Sequence, residues 1–97
     1  MTIQIEQKEK DARGIFFVRE ENEYLAELVY SLTGPAEMTI EHTEVSEKLK
    51  GKNVGLQLVT RAVAYAEEKG LKIIPLCPYA ASVFRKKPEW NKYLANH

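Results

Sequence analysis

Among its 97 residues the chain has one cysteine, Cys77, and two histidines, His42 and His97. A lone cysteine cannot close an intramolecular disulfide, which fits a reducing compartment. The two histidines stand far apart, no Cys/His cluster accompanies them, and no metal site is expected. No apolar run approaches the length of a membrane span. The start, Met1-Thr2-Ile3-Gln4-Ile5-Glu6, does not read as a secretory signal. A cytoplasmic protein without membrane contact is the expectation. The net charge is zero, which argues against non-specific nucleic-acid binding. Internal repeats, linkers and low-complexity tracts are lacking too, so residues 1–97 read as one small domain.

What is present is unevenly spread. Residues 1–47 hold four Lys/Arg and eleven Asp/Glu, a net charge of −7; residues 48–97 hold ten and three, a net charge of +7. Either the halves attract each other, or the basic half holds a polyanion while the acidic half meets something cationic, such as an amine.

The hydrophobic period changes once along the chain. Thr2 to Glu6 alternates and predicts a strand; Lys8 to Arg13 reads as a charged turn. Ile15 to Val18 is a short apolar strand. From Tyr24 the period is two, placing Tyr24, Ala26, Leu28, Tyr30 and Leu32 on one face. Thr33-Gly34-Pro35 is a hairpin turn. Glu37 to Val45 then forms a fourth strand, with Met38, Ile40 and His42 on one face and Thr39, Glu41 and Thr43 on the other. Beyond it Val54, Leu58, Ala62, Val63 and Ala66 trace a helical stripe over Val54 to Lys69, and Gly70 is the stop signal. Leu71 to Ile74 is a fifth strand, closed by Pro75. Ala80 to Lys87 is a second helix, begun by Pro78-Tyr79. Trp90 to His97 forms a short tail. Leaving one strand, passing a helix and entering another predicts a parallel crossover.

Lys50-Gly51-Lys52-Asn53-Val54-Gly55 is the most informative stretch, because it links the fourth strand to the long helix. The first N–H groups of a helix lack intrahelical partners, and the helix dipole favours negative charge there. Lys48, Lys50 and Lys52 add positive charge. The expected guest is a phosphate or pyrophosphate carried on a cofactor.

This α+β order, β-β-β-β-α-β-α, is an antiparallel meander with a parallel crossover between the fourth and fifth strands. With its anion-binding turn it resembles the GCN5-related N-acetyltransferase (GNAT) superfamily. The family's Arg/Gln-x-x-Gly-x-Gly/Ala motif falls on Lys50 to Gly55. Lys50 replaces the usual Arg or Gln, and Asn53 the middle glycine; asparagine tolerates positive φ well for a non-glycine residue. A second motif, Asn-x-x-Ala-x-x-x-Tyr, falls on Cys77, Ala80 and Phe84. His42-Thr43-Glu44-Val45 and Cys77-Pro78-Tyr79 are similar to segments of a small, minimal branch of these proteins. The chain ends without the additional C-terminal strands of full-length members.

The resemblance implies acetyl-CoA as cofactor and an amine as acetyl acceptor, either a small molecule or a protein lysine. The fourth and fifth strands would splay to admit pantetheine, held by backbone N–H groups of Thr43, Glu44 and Val45. The pyrophosphate would rest on the amides of Lys52, Asn53, Val54, Gly55 and Leu56, beside Lys50 and Gly51. Tyr79 and Phe84 fall near the pantetheine. Phe84 lacks the hydroxyl with which many members protonate the departing thiolate, and Tyr79 is the nearby substitute.

Three residues are candidates for chemistry. Glu41 and His42, near the end of the fourth strand, could serve as general base. Cys77, just after the fifth strand and before a helix that would lower its pKa, could take the acetyl group covalently. Each has a structural counterpart reading: a solvated strand charge, a hydrogen-bonded histidine on the Met38/Ile40 face, and an inert buried thiol. Two other functions stay open, a non-catalytic CoA or acyl-CoA binding module and a small interaction domain using the acidic half. Monomer and homodimer are both compatible with the sequence.

Overall fold

Short connections between alternating segments let the strands pair in chain order. The computed structural model describes residues 3–95. Its sheet runs β1 (Glu6–Lys10), β2 (Arg13–Glu20), β3 (Glu23–Gly34), β4 (Glu37–Val45) and β5 (Lys72–Pro75). The first four strands are antiparallel, and β5 lies parallel to β4. Helix α1 (Val54–Lys69) makes the crossover, and Gly70 ends it at φ 70°. Helix α2 (Pro78–Lys86) follows, then a 3₁₀ segment, Pro88–Tyr93. Order, fold class and the bounds of α1 are those expected from the sequence.

The first strand is not where alternation placed it. Thr2 lies outside the described residues, and Ile3 to Ile5 precede β1. The charged stretch assigned to a turn is mostly strand. The turn itself is only Asp11-Ala12, both at positive φ, which matches the twist of a two-residue hairpin. Lys8, Glu9 and Lys10 are exposed strand residues. Charges on an outer strand discourage edge-to-edge pairing, so their presence did not signal a loop. The second helix also begins two residues earlier than expected, with Pro78 supplying a preset φ in its first turn.

One face of the sheet carries the core. Phe16, Leu28, Tyr30, Met38 and Ile40 pack against Leu58, Val59, Ala62 and Ala66 of α1, and against Ala80 and Phe84 of α2. On the other face Phe17 is covered by Tyr24, their rings stacked at 4.6 Å.

Two bulges set which side chains face the helices. Val18 pairs with Ala26 but Arg19 with Tyr24, so Leu25 is an extra residue in β3. Val29 pairs with His42 but Tyr30 with Ile40, so Glu41 is an extra residue in β4. One extra residue reverses the alternation beyond it. Tyr24 therefore leaves the face of Ala26, Leu28 and Tyr30, contrary to the simple period of two. His42 likewise leaves the face of Met38 and Ile40, and Thr43 takes the inward position opposite Leu28. Among the described residues no helix is long and apolar enough to cross a membrane.

Candidate functional site

The β4–β5 ladder is short for a local reason. It ends at Ile40 opposite Pro75, which has no N–H to continue it. The N–H of Cys77 donates to the Ile40 carbonyl at 3.0 Å instead. Beyond that point β4 runs on to Val45 without β5 beside it. The bulge at Glu41 lies where β5 ends, so β4 goes on past its last β5 partner.

The loop after β4 forms a wall beside this stretch. Ser46 caps a 3₁₀ turn, Glu47–Leu49, accepting from the Lys48 N–H through its hydroxyl. Gly51 then takes φ 83° and Asn53 φ 56°. A Cβ on Gly51 would meet nothing within 4 Å, so its glycine is required by backbone conformation and not by space. Asn53 occupies the N-cap of α1 in the left-handed region and makes no side-chain cap hydrogen bond. The first helical bond runs from the Gln57 N–H to the Asn53 carbonyl, at 3.0 Å. The N–H groups of Val54, Gly55 and Leu56 thus have no partner inside the helix. No acidic residue lies in the first turn of α1 to compete for them.

These elements enclose a cleft of about 380 Å³ lined by Thr43, Val45, Leu49, Lys50, Gly51, Asn53, Val54, Gly55 and Tyr79. Eight of these nine were singled out from the sequence. Leu49 was not; an apolar residue inside Glu47-Lys48-Leu49-Lys50 was the available signal, and its side chain is buried beneath the loop. Of the flanking lysines, Lys48 is drawn to Glu23 at 3.0 Å, whereas Lys50 lines the cleft. Leu56 lines an adjoining cleft, and Lys52 and Glu44 line neither of the two. Phe84 lies in the core, edge-on to Trp90 at 5.7 Å.

Tyr79 packs directly on the start of α1. A Cβ on Gly55 would sit 2.7 Å from its Oη and 2.8 Å from its Cζ, so the absent side chain makes room for the ring. The phenol is held above its ordinary pKa, first by burial and then by negative charge at Cys77.

Cys77 is 5% exposed and does not line the cleft. Its Sγ is 3.5 Å from Thr43 Oγ1, a cleft residue, to which the thiol donates. Burial alone would raise its pKa, but hydrogen bonding with the backbone of Ala80, the Thr43 hydroxyl, and the backbone of Tyr79 and Thr43 outweighs it. The thiol lies below its ordinary value. The N-terminal turn of α2 supplies two of these groups, Tyr79 and Ala80.

The other two candidates for chemistry stand apart. His42 and Glu44 are paired at 3.2 Å, and their ligand atoms lie within 4.8 Å of that of Glu27 on the face away from the helices. Glu41 is held by Arg13 at 3.0 Å and by the Ser31 hydroxyl. The bulge gives the reason: Glu41 and His42 are adjacent residues opposite the single residue Val29, and both leave the helix side.

A cleft beside the far end of β4, bounded by the amides of a helix N-terminus and with a thiol one hydrogen bond behind its wall, has relatives. A family model described as GCN5-related N-acetyl-transferase matches residues 15–94. A GCN5-like protein of Staphylococcus aureus, solved in solution by NMR, is 32% identical; the match covers 95% of this chain and 89% of that one, with a TM-score of 0.73. A Bacillus subtilis acetyltransferase in complex with CoA shares the fold at 19% identity and a TM-score of 0.65, with 88% and 74% of the two chains covered. A GNAT family acetyltransferase from Elizabethkingia anophelis with acetyl-CoA bound shares it at 18% identity and a TM-score of 0.58; 79% of this chain matches about half, 53%, of that one. No curated protein matches the sequence. The matched span and the Staphylococcus relative place this chain in the GCN5-related N-acetyltransferase family.

Proposed function

We propose that the chain binds acetyl-CoA in the cleft between the far end of β4, the α1 N-terminus and Tyr79, and passes the acetyl group to an amine, a small molecule or a protein lysine. The observation that carries this reading is the convergence of the Lys50–Gly55 turn, the α1 N-terminus and the free end of β4 on one cleft. The residues fit the cofactor. The unpaired N–H groups of Val54, Gly55 and Leu56 and the charge of Lys50 suit a pyrophosphate. The β4 backbone from Thr43 to Val45, past its last β5 partner, suits the amides of a pantetheine arm. Acetyl-CoA supplies an activated acyl thioester.

Cys77 lies behind this wall, hydrogen-bonded to the cleft residue Thr43. Its thiolate, stabilised by Thr43 and the α2 turn, attacks the acetyl carbonyl, forming an S–acetyl bond as the bond to the CoA sulfur breaks. An amine then displaces the Cys77 sulfur, which leaves again as the thiolate, and the proton the amine loses goes to the CoA thiolate released in the first step. Two observations favour the alternative, a CoA-binding module without catalysis: Cys77 is buried, and the second family motif carries Phe84 where a hydroxyl is usual.

Titration with acetyl-CoA followed by intact-mass measurement, with wild type and Cys77→Ala, separates the readings. A cysteine-dependent acetyl adduct supports the relay. Binding with no adduct in either protein, and no transfer to added amines, leaves the binding module. No binding at millimolar acetyl-CoA rejects both.

A further inference from the structure

Tyr79 belongs to two cavities at once. It lines the 380 Å³ cleft and, on its other side, a second cleft of about 270 Å³ with Asn53, Leu56, Ser82, Val83, Lys86 and Lys87. Its ring is therefore part of the wall between them, resting on Gly55 beside the amides of the α1 N-terminus. Drug-sized ligands fill pockets of about 300–1,000 Å³; the first cleft lies near the low end of that range, and a nucleotide thioester is larger than such ligands. A ligand of that size extends beyond the first cleft, and the second adjoins it through Tyr79 and Asn53, which line both. The second cleft carries Lys86 and Lys87 at the end of α2, a cationic lining suited to the phosphates of such a ligand. Tyr79 is 41% exposed and lies outside the core cluster, so an outward swing of its ring would leave the core closed.

We propose that Tyr79 is a specificity-determining partition: its ring leaves Gly55 when a nucleotide-bearing thioester spans from the first cleft to Lys86 and Lys87, and in leaving it joins the two clefts into one trough. A ligand that stops at the pantetheine arm uses the first cleft alone and leaves the ring in place. This rests on the CoA reading above but goes beyond it, because it says which side chain controls access and by what movement. The closed ring excludes part of the binding-competent state, so the apparent affinity for CoA is reduced by the fraction of molecules that are open.

Two measurements test the partition. The first is the nuclear Overhauser contact between the Tyr79 ring and the Gly55 α-protons, recorded free, with saturating CoA, and with pantetheine. The contact is expected in the free protein and with pantetheine, and is lost with CoA; its persistence at CoA saturation overturns the proposal. The second is CoA affinity of Tyr79→Ala and Tyr79→Phe. Removing the ring is expected to tighten CoA by roughly tenfold, as when a competent state populated at about one part in ten becomes the only one. Phe keeps the ring and should match wild type, and pantetheine should gain little in either variant. Unchanged or weakened CoA binding in Tyr79→Ala, with wild type binding normally, removes the partition and leaves the cofactor reading intact. Failure of every protein to bind CoA removes both.

Discussion

The two ends of the sheet solve opposite problems. Around β1, β2 and β3 the helix is sealed down: Tyr30 lies fully buried under α1, in the space left by Gly14, where a Cβ would come within 2.2 Å of its ring. Its hydroxyl accepts from Gln7 Nε2 and donates to Glu9, and Tyr65 of α1 donates to the same carboxylate oxygen at 2.6 Å. Around β4 and β5 the ladder stops early, at a proline opposite Ile40 with a bulge just beyond it. Both ends contain a β-bulge, yet with contrary results. The one at Leu25 turns two consecutive apolar residues inward, whereas the one at Glu41 turns two consecutive polar residues outward. A bulge is thus a means of re-aiming a pair of side chains, and the residue types at the pair decide whether the core grows or a cleft edge forms.

Substitutions can break this contrast. The largest effect is expected at the sealed end. Tyr30→Ala should destabilise the fold by about 3–5 kcal/mol in denaturant titrations, the range for a large buried aromatic. A loss below about 1 kcal/mol would show that the site collapses or that Tyr30 matters little. At the open end Gly51→Val puts a branched side chain at φ 83°, costing about 1–2 kcal/mol. Because that strain reshapes the cradle, CoA should bind about tenfold more weakly, a change of about 1.4 kcal/mol. Equal CoA affinity for the folded variant would show that the turn does not hold the phosphates.

The smallest effect sharpens the comparison by pH. Hydrogen bonds from Tyr65 and then Tyr30 hold the Glu9 carboxyl below its usual 4.5 despite partial burial. The unfolded chain therefore takes up this proton first on acidification. The stabilisation is complete above the ordinary glutamate range and is lost as pH falls through the lower folded value. Glu9→Gln should flatten the acid limb of the stability profile while leaving CoA affinity unchanged. The Tyr65 hydroxyl, pushed up to about 12 by burial and then by Glu9, adds nothing in that acid range.

Much of this molecule was legible because its determinants are local. The stripe from Val54 to Ala66, the stop at Gly70 and the αL tolerance of Asn53 depend only on neighbours along the chain, and the helix and the turn that opens it followed. So did the strand-ending role of Pro75. The sequence alone also determined the strand order, since short loops leave adjacent segments little choice but to pair. What only the tertiary structure decided was phase. Whether His42 follows Ile40 inward depends on one unpaired residue, and the pairing that makes Glu41 extra is set across strands, against Val29 and Tyr30. The same is true of Cys77, whose surroundings come from Thr43 on another strand, and of Tyr79, whose place was fixed by a glycine twenty-four residues earlier in the chain. Local rules fix what each segment is; long-range packing fixes which way its side chains point, and the chemistry of this cleft depends on the second.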